Sequence, residues 1–261
     1  MLDIQHLLAA FAGAVVGFTL SLVGGGGSIL AVPLLVYFVG ITNPHLAIGT
    51  SAVSVALNAA LSLIGRARSG TVKWRCVAVF TITGVIGALI GSFFGRALNG
   101  KVLLCLFALL MVVVAGLMLK HRNAEGNPKV RLNRDNFPRL VAFGLATGLL
   151  SGFFGIGGGF LIVPSLMAAT AMPIVNAISS SLFAVTAFGI STASTYAFAG
   201  LVDWAIAIAF VCGGIAGSVV GARAAKILAA KRGHLTTGFA GLIFIVAAYM
   251  LYRSLIGSTG V

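Results

Sequence analysis

The sequence predicts an all-α polytopic membrane protein of two homologous halves. Each half opens with a glycine-broken segment, re-entrant or split, and continues through three transmembrane helices. Three observations carry this. Several apolar runs are longer than about 18 residues without a charged side chain, enough to span a bilayer. Two of these runs are interrupted by glycine, at Gly24, Gly25, Gly26 and Gly27 and at Gly155, Gly157, Gly158 and Gly159. Finally, Gly17 to Pro33 lies over Gly148 to Pro164 with agreement at Gly17/Gly148, Gly24/Gly155, Gly26/Gly157, Gly27/Gly158, Leu30/Leu161, Val32/Val163 and Pro33/Pro164.

Composition agrees. Of 261 residues, 59% are hydrophobic and 8% charged, against about a quarter charged in a soluble domain. The net charge of +13 does not point to nucleic acid. The basic residues sit in short connections between apolar runs, as the positive-inside rule places them. No basic residue precedes the first apolar run, so the start does not read as a cleaved signal peptide. Cys76, Cys105 and Cys212 are scattered through apolar runs and read as small core residues.

Segment one, from about Leu7 to Val39, is too long for one straight span at about 1.5 Å per residue and a core of roughly 30 Å. Its glycine cluster is where it breaks, since each glycine costs a helix about 1 kcal/mol relative to alanine. Segment two (about Leu46 to Gly65) leads into the basic loop of Arg66, Arg68, Lys73 and Arg75. Segments three (Cys76 to Gly95) and four (Val102 to Leu119) complete residues 1–119, the N-terminal repeat. Residues 120–139, with Lys120, Arg122, Lys129, Arg131, Arg134, Arg139, Pro128 and Pro138, read as a basic linker. Residues 140–261 repeat the plan: a second broken run from Leu140 to about Ala169, then segments at about Asn176 to Ala199, Ala205 to Ala225 and Leu235 to Tyr252. Gly70-Thr71-Val72-Lys73-Trp74 matches Gly200-Leu201-Val202-Asp203-Trp204. Behind these, Gly84, Gly87 and Gly91 match Gly214, Gly217 and Gly221. The last two members of each glycine series form small-xxx-small pairs that let helices approach closely; the two tryptophans read as interface anchors.

Loop charge favours inverted over parallel halves. If both broken segments turn back at their glycines, every basic connection shares one side except Arg96, Lys101 and Arg253. That puts the linker in the cytoplasm and the termini outside a multi-pass inner-membrane protein. In carriers, broken helices of inverted repeats meet at the substrate site.

A break at membrane depth frees amides that must face protein or a watery cavity. A helix N-terminus with free N–H groups suits an anion. The candidate substrate-binding set is therefore Gly24, Gly25, Gly26, Gly27, Ser28, Gly155, Gly157, Gly158 and Gly159, with Ser28 placed to cap a short helix from Ile29 to Val39. The following segments add Thr50, Ser51, Asn58, Ser180 and Ser181, and Ser51, Ser54 and Asn58 share a helix face by spacing. These hydroxyls read equally as ligand donors or as links to a neighbouring helix. His45 reads as a membrane-boundary residue. No buried carboxylate offers a proton relay. An intramembrane enzyme would need a nucleophile–base pair or metal ligands, and none is evident, so no enzymatic activity, cofactor or metal is expected.

Taken together, Gly24 to Pro33, Gly155 to Pro164, His45-Leu46-Ala47-Ile48-Gly49-Thr50-Ser51 and the Gly84/Gly87/Gly91 series resemble the TauE/SafE family of sulfite exporters. The resemblance runs from about Gly13 to Tyr252, the basic linker aside. It implies transport of sulfite, a sulfonate or a related small anion across the cytoplasmic membrane. One departure is that Asn176 and Ser179-Ser180-Ser181 stand where the first half has His45 and Gly49-Thr50-Ser51. The expected function is a secondary transporter or facilitator exporting a small oxyanion. A small-carboxylate carrier and a non-transporting sensor or assembly subunit are the alternatives. The expected partners are a small anionic substrate and the lipid bilayer, with no nucleic acid; a homodimer is compatible with the chain.

Overall fold

The computed structural model describes residues 4–68, 70–120, 132–155, 159–228, 241, 244–250 and 252. Among these the fold is all-helical, and six helices are long and apolar enough to cross a membrane. They are α1 (Ile4–Val23), α3 (Pro44–Ala67), α4 (Trp74–Ala97), α6 (Phe137–Phe154), α8 (Ile174–Phe198) and α9 (Trp204–Leu228). Shorter apolar helices are α2 (Gly27–Phe38), α5 (Gly100–Lys120) and α7 (Gly159–Thr170). Each falls close to a predicted apolar run. The last predicted segment, about Leu235 to Tyr252, is described at residues 241, 244–250 and 252, which are helical, and most of the linker lies outside the described residues.

Helix starts follow local chemistry. Pro44 occupies the first turn of α3, and the Asn43 side chain accepts the His45 N–H at 3.0 Å. The Asp203 carboxylate accepts the Ile206 N–H at 3.0 Å and caps α9. Trp74 and Trp204, exposed by 47% and 58%, open α4 and α9, where interface anchors belong.

The first broken segment doubles back. Gly24 has φ of +73°, a left-handed backbone that glycine adopts without strain. A 3-10 stretch, Gly24–Leu30, follows, and the chain passes Pro33 into a π-helical turn, Leu34–Phe38. Gly27 lies against the backbone of Leu20, and the Phe38 ring stands 5.8 Å from that of Phe11. A straight helix would separate those two residues by roughly 40 Å. The second segment matches it: α6 ends at Gly155 with φ of +66°, and Thr147 of α6 donates to Ser165 of α7 at 2.8 Å. One expectation is corrected here. Ser28 does not cap the returning helix, because its hydroxyl donates to the Gly25 carbonyl at 2.8 Å inside the 3-10 turn.

Contacts between the halves fix the helix directions. Gly13 meets Phe210, Gly17 meets Gly214 and Gly217 meets Ala14, so α1 and α9 run the same way. Thr50 meets Asp203 and Ser54 meets Ala207, which adds α3 to that set. In the opposite set, Gly84 meets Gly148 and Gly95 meets Phe153, making α4 and α6 parallel. Lys73 meets Ser180 and Ser92 meets Thr192, making α4 and α8 parallel. Helices α3 and α8 run antiparallel, since Arg66 reaches Ser179 while Gly49 lies against Leu201. Corresponding helices of the two halves thus point opposite ways, the arrangement that inverted repeats require. Each glycine seam pairs across the halves, α4 with α6 and α9 with α1. A Cβ on Gly148 would lie 1.9 Å from the Gly84 carbonyl oxygen, so any side chain there parts the helices. The cysteine reading needs adjustment: Cys76 is buried, Cys105 half-buried and Cys212 exposed.

Candidate functional site

The two breaks touch. A Cβ on Gly25 would lie 2.5 Å from the Gly159 carbonyl oxygen, and one on Gly159 would lie 2.0 Å from that of Gly25. Backbone meets backbone there, which only residues without side chains allow. The Gly25 N–H donates to the Ser181 hydroxyl at 3.1 Å, and that hydroxyl donates on to the Ile178 carbonyl at 2.8 Å. Gly24, Gly25, Gly27, Ser28, Gly159 and Ser181 thus gather where the hairpins cross. By helix geometry the first turn of α7 directs amides without intrahelical partners toward this point. Gly157 and Gly158 lie outside the described residues.

The halves mirror each other here pair by pair. A Cβ on Gly24 would meet Ile178, and one on Gly155 would meet Ile48. Ser181 donates to Ile178 at 2.8 Å as Ser51 donates to Ile48 at 2.8 Å. The Thr50 hydroxyl accepts the Asp203 N–H at 3.0 Å, and the Ser180 hydroxyl accepts the Lys73 N–H at 2.9 Å. Asp203 and Lys73 immediately precede α9 and α4. Thr50 and Ser180 therefore pin the starts of those helices, at opposite ends of the α3/α8 pair.

Asn58 is placed elsewhere again. It is fully buried against Gly214 of α9, and neither its Oδ1 nor its Nδ2 has a hydrogen-bond partner. Its counterpart is Phe188, packed against Gly84 and stacked on Phe80 with ring centroids 6.1 Å apart.

Two residues read from sequence as loop charges reach into the helices. The Arg66 guanidinium donates to the Ser21 carbonyl and, at 3.5 Å, to the Ser179 hydroxyl. Arg96 donates to the Thr195 carbonyl at 3.0 Å and lies 6.0 Å over the Tyr196 ring. His45 sits near Tyr196 too, its ring stacked at 6.5 Å, while its Nε2 stands 3.0 Å from the Leu98 carbonyl oxygen. Spacing alone could not find these roles, because a basic residue just past an apolar run reads as topology.

The family model described as "Sulfite exporter TauE/SafE" matches residues 9–250. A "Probable membrane transporter protein" of Xylella fastidiosa (strain 9a5c) is 48% identical over 259 residues, covering 97% of this chain and 98% of that one. The Bacillus subtilis (strain 168) "Probable membrane transporter protein YunE" is 28% identical over 231 residues, with 80% and 85% covered. A "Probable membrane transporter protein" of Haemophilus influenzae is 30% identical over 201 residues, with 74% of each covered.

Proposed function

The chain belongs to the sulfite exporter TauE/SafE family of membrane transporters, and on that premise we propose that it carries a small oxyanion, sulfite or a sulfonate, out of the cell. The observation carrying this reading is the crossing of the two hairpins at Gly25 and Gly159, beside Ser181. Glycine leaves the amides of both breaks unshielded by a Cβ, so an anion that takes the place of the Ser181 hydroxyl on the Gly25 N–H meets bare backbone, and the positive end of α7 adds field there. The repeats, 1–119 and 140–261, act as the two halves of one carrier in the inner membrane. Its basic linker is cytoplasmic and its termini lie outside, in keeping with the positive-inside rule.

Proteoliposomes holding the purified protein test this with sulfite, taurine and sulfoacetate. Saturable flux of at least one is expected, with Gly159→Val abolishing it. Absence of flux for all three overturns the oxyanion assignment while leaving the transporter family intact.

A further inference from the structure

The pseudo-symmetry makes the two ends of the α3/α8 pair comparable position by position, and their chemistry differs. At one end, Gly49 lies against Tyr196 and the Leu201 carbonyl. At the other, the counterparts are Ser179, Arg66 and Thr71. The Ser179 hydroxyl receives Arg66 at 3.5 Å and the Thr71 hydroxyl at 2.8 Å, and Asn176 donates its amide to the Thr71 carbonyl at 2.8 Å. At the first end the guanidinium of Arg96 lies over the Tyr196 ring and, among the described residues, bonds only the Thr195 and Ser92 carbonyls; at the second, the guanidinium of Arg66 stands among hydroxyls. The second end is also the basic face, since Arg66 stands in the last turn of α3, Arg68 and Lys73 stand in the connection, Arg75 opens α4 and Arg139 opens α6.

This end is connected to the crossing. Ser179, Ser180 and Ser181 are consecutive on α8 and fully buried. Each binds a different element: Arg66 and Thr71, the Lys73 N–H before α4, and the Gly25 N–H of the first break. Arg66 further holds the Ser21 carbonyl, in the last turn of α1 before Gly24.

We propose that Arg66, with the hydroxyls of Ser179 and Thr71, is an oxyanion-recognition site at the basic-face mouth. The guanidinium that takes the anion is the one that latches α1 to α8 when the mouth is empty. A guanidinium fork suits the paired oxygens of a sulfite or sulfonate group. A charged oxyanion outcompetes neutral carbonyl and hydroxyl acceptors, because it adds ion–ion attraction and a bidentate fit to the guanidinium fork. Binding therefore frees the end of α1 and the start of α8 and opens the way to Gly25. The site gives the carrier a sidedness that its symmetric backbone lacks, and it deepens the function proposed above, on which it rests.

The test uses the full-length protein in proteoliposomes and in detergent, with sulfite as probe. Arg66→Gln is expected to raise the half-saturating sulfite concentration at the basic face about tenfold or more, with maximal flux kept within a factor of about two. At the opposite face half-saturation stays unchanged, and Arg66→Lys falls between. Thr71→Val, which keeps the guanidinium, shifts half-saturation in the same direction by a smaller factor and covers the case that Arg66→Gln does not fold. Sulfite-induced thermal stabilisation of the detergent-solubilised protein should shrink in parallel. Unchanged half-saturation with lower maximal flux and melting temperature would mean a purely structural latch and overturn the proposal. If the wild type itself neither moves nor binds sulfite, taurine or sulfoacetate, the oxyanion function is what fails, and this site goes with it.

Discussion

At the residue scale, the halves differ where one keeps a residue its conformation wants and the other does not. Gly40 ends the first hairpin with φ of +86°, and its counterpart Ala171 ends the second with φ of +55°. A left-handed non-glycine residue costs roughly 1–2 kcal/mol. Ala171→Gly should therefore stabilise the protein by about 1 kcal/mol, and Gly40→Ala should destabilise it by a similar amount. Thermal melts in detergent measure both, and equal melting temperatures would refute the strain. Asn58 is a second such position. Its buried amide has neither partner filled, whereas Phe188 fills the corresponding niche with carbon. An orphaned amide costs about 1–3 kcal/mol, so Asn58→Leu, which keeps the branched shape at a somewhat larger volume, should raise stability by about 1 kcal/mol. A fall would mean that a water or a substrate already satisfies that amide. The sequence named Asn58 through its helical spacing to Ser51 and Ser54, but spacing gives a face and no neighbour. That Asn58 faces Gly214 and Ser51 turns back onto its own helix depends on contacts far along the chain.

At the element scale, the broken helices are the feature the sequence announced most plainly. Clustered glycine in an overlong apolar run is a local signal, and its recurrence at Gly155 made it a repeat. The direction of the return was harder to see, because loop charge constrains only the count of crossings. The structure supplies it through Gly27 on Leu20 and Phe38 beside Phe11. Cysteines replacing Phe11 and Phe38, in a chain whose three native cysteines are changed to alanine, should be joined in the membrane by a short bis-methanethiosulfonate reagent, each thiolate displacing a sulfinate. A straight first segment would hold them roughly 40 Å apart and give no cross-link. The glycine seams were legible in part. Small-xxx-small spacing on α4 and α9 foretold close helix packing, and both seams form. Their partners, α6 and α1, come from the opposite half. No spacing on one helix encodes that choice, because membrane helices meet through matched surfaces rather than a hydrophobic drive. Thr50 and Ser180 show the same limit, since a hydroxyl near a helix start reads alike as a ligand donor and as a pin for a neighbouring amide.

At the scale of the whole molecule, two hairpins cross within two sets of oppositely directed helices, and charge separates across the body. Arg66, Arg68, Lys73, Arg75, Arg134, Arg139 and Arg223 cluster at one face, while Arg96 and Lys101 lie toward the other. Among the described residues, the acids Asp135 and Asp203 lie at helix boundaries rather than midway along a span, so none is a relay for a coupled proton. On the function proposed above, the anion crosses together with its own charge. Each elementary charge crossing a membrane potential is worth about 2.3 kcal/mol per 100 mV, which favours anion efflux from a negative interior. Proteoliposomes preloaded with equal sulfite on both sides and clamped at 100 mV, negative at the basic face, should therefore shift sulfite away from that face. At equilibrium the concentration ratio should approach about fiftyfold for each charge carried. Reversing the potential should reverse the gradient, and dissipating it should abolish the gradient. A ratio that stays at unity under the clamp, in liposomes that do exchange sulfite, would show electroneutral movement, and a coupled or exchanged ion would then have to take the place of the uniport argued from the missing relay.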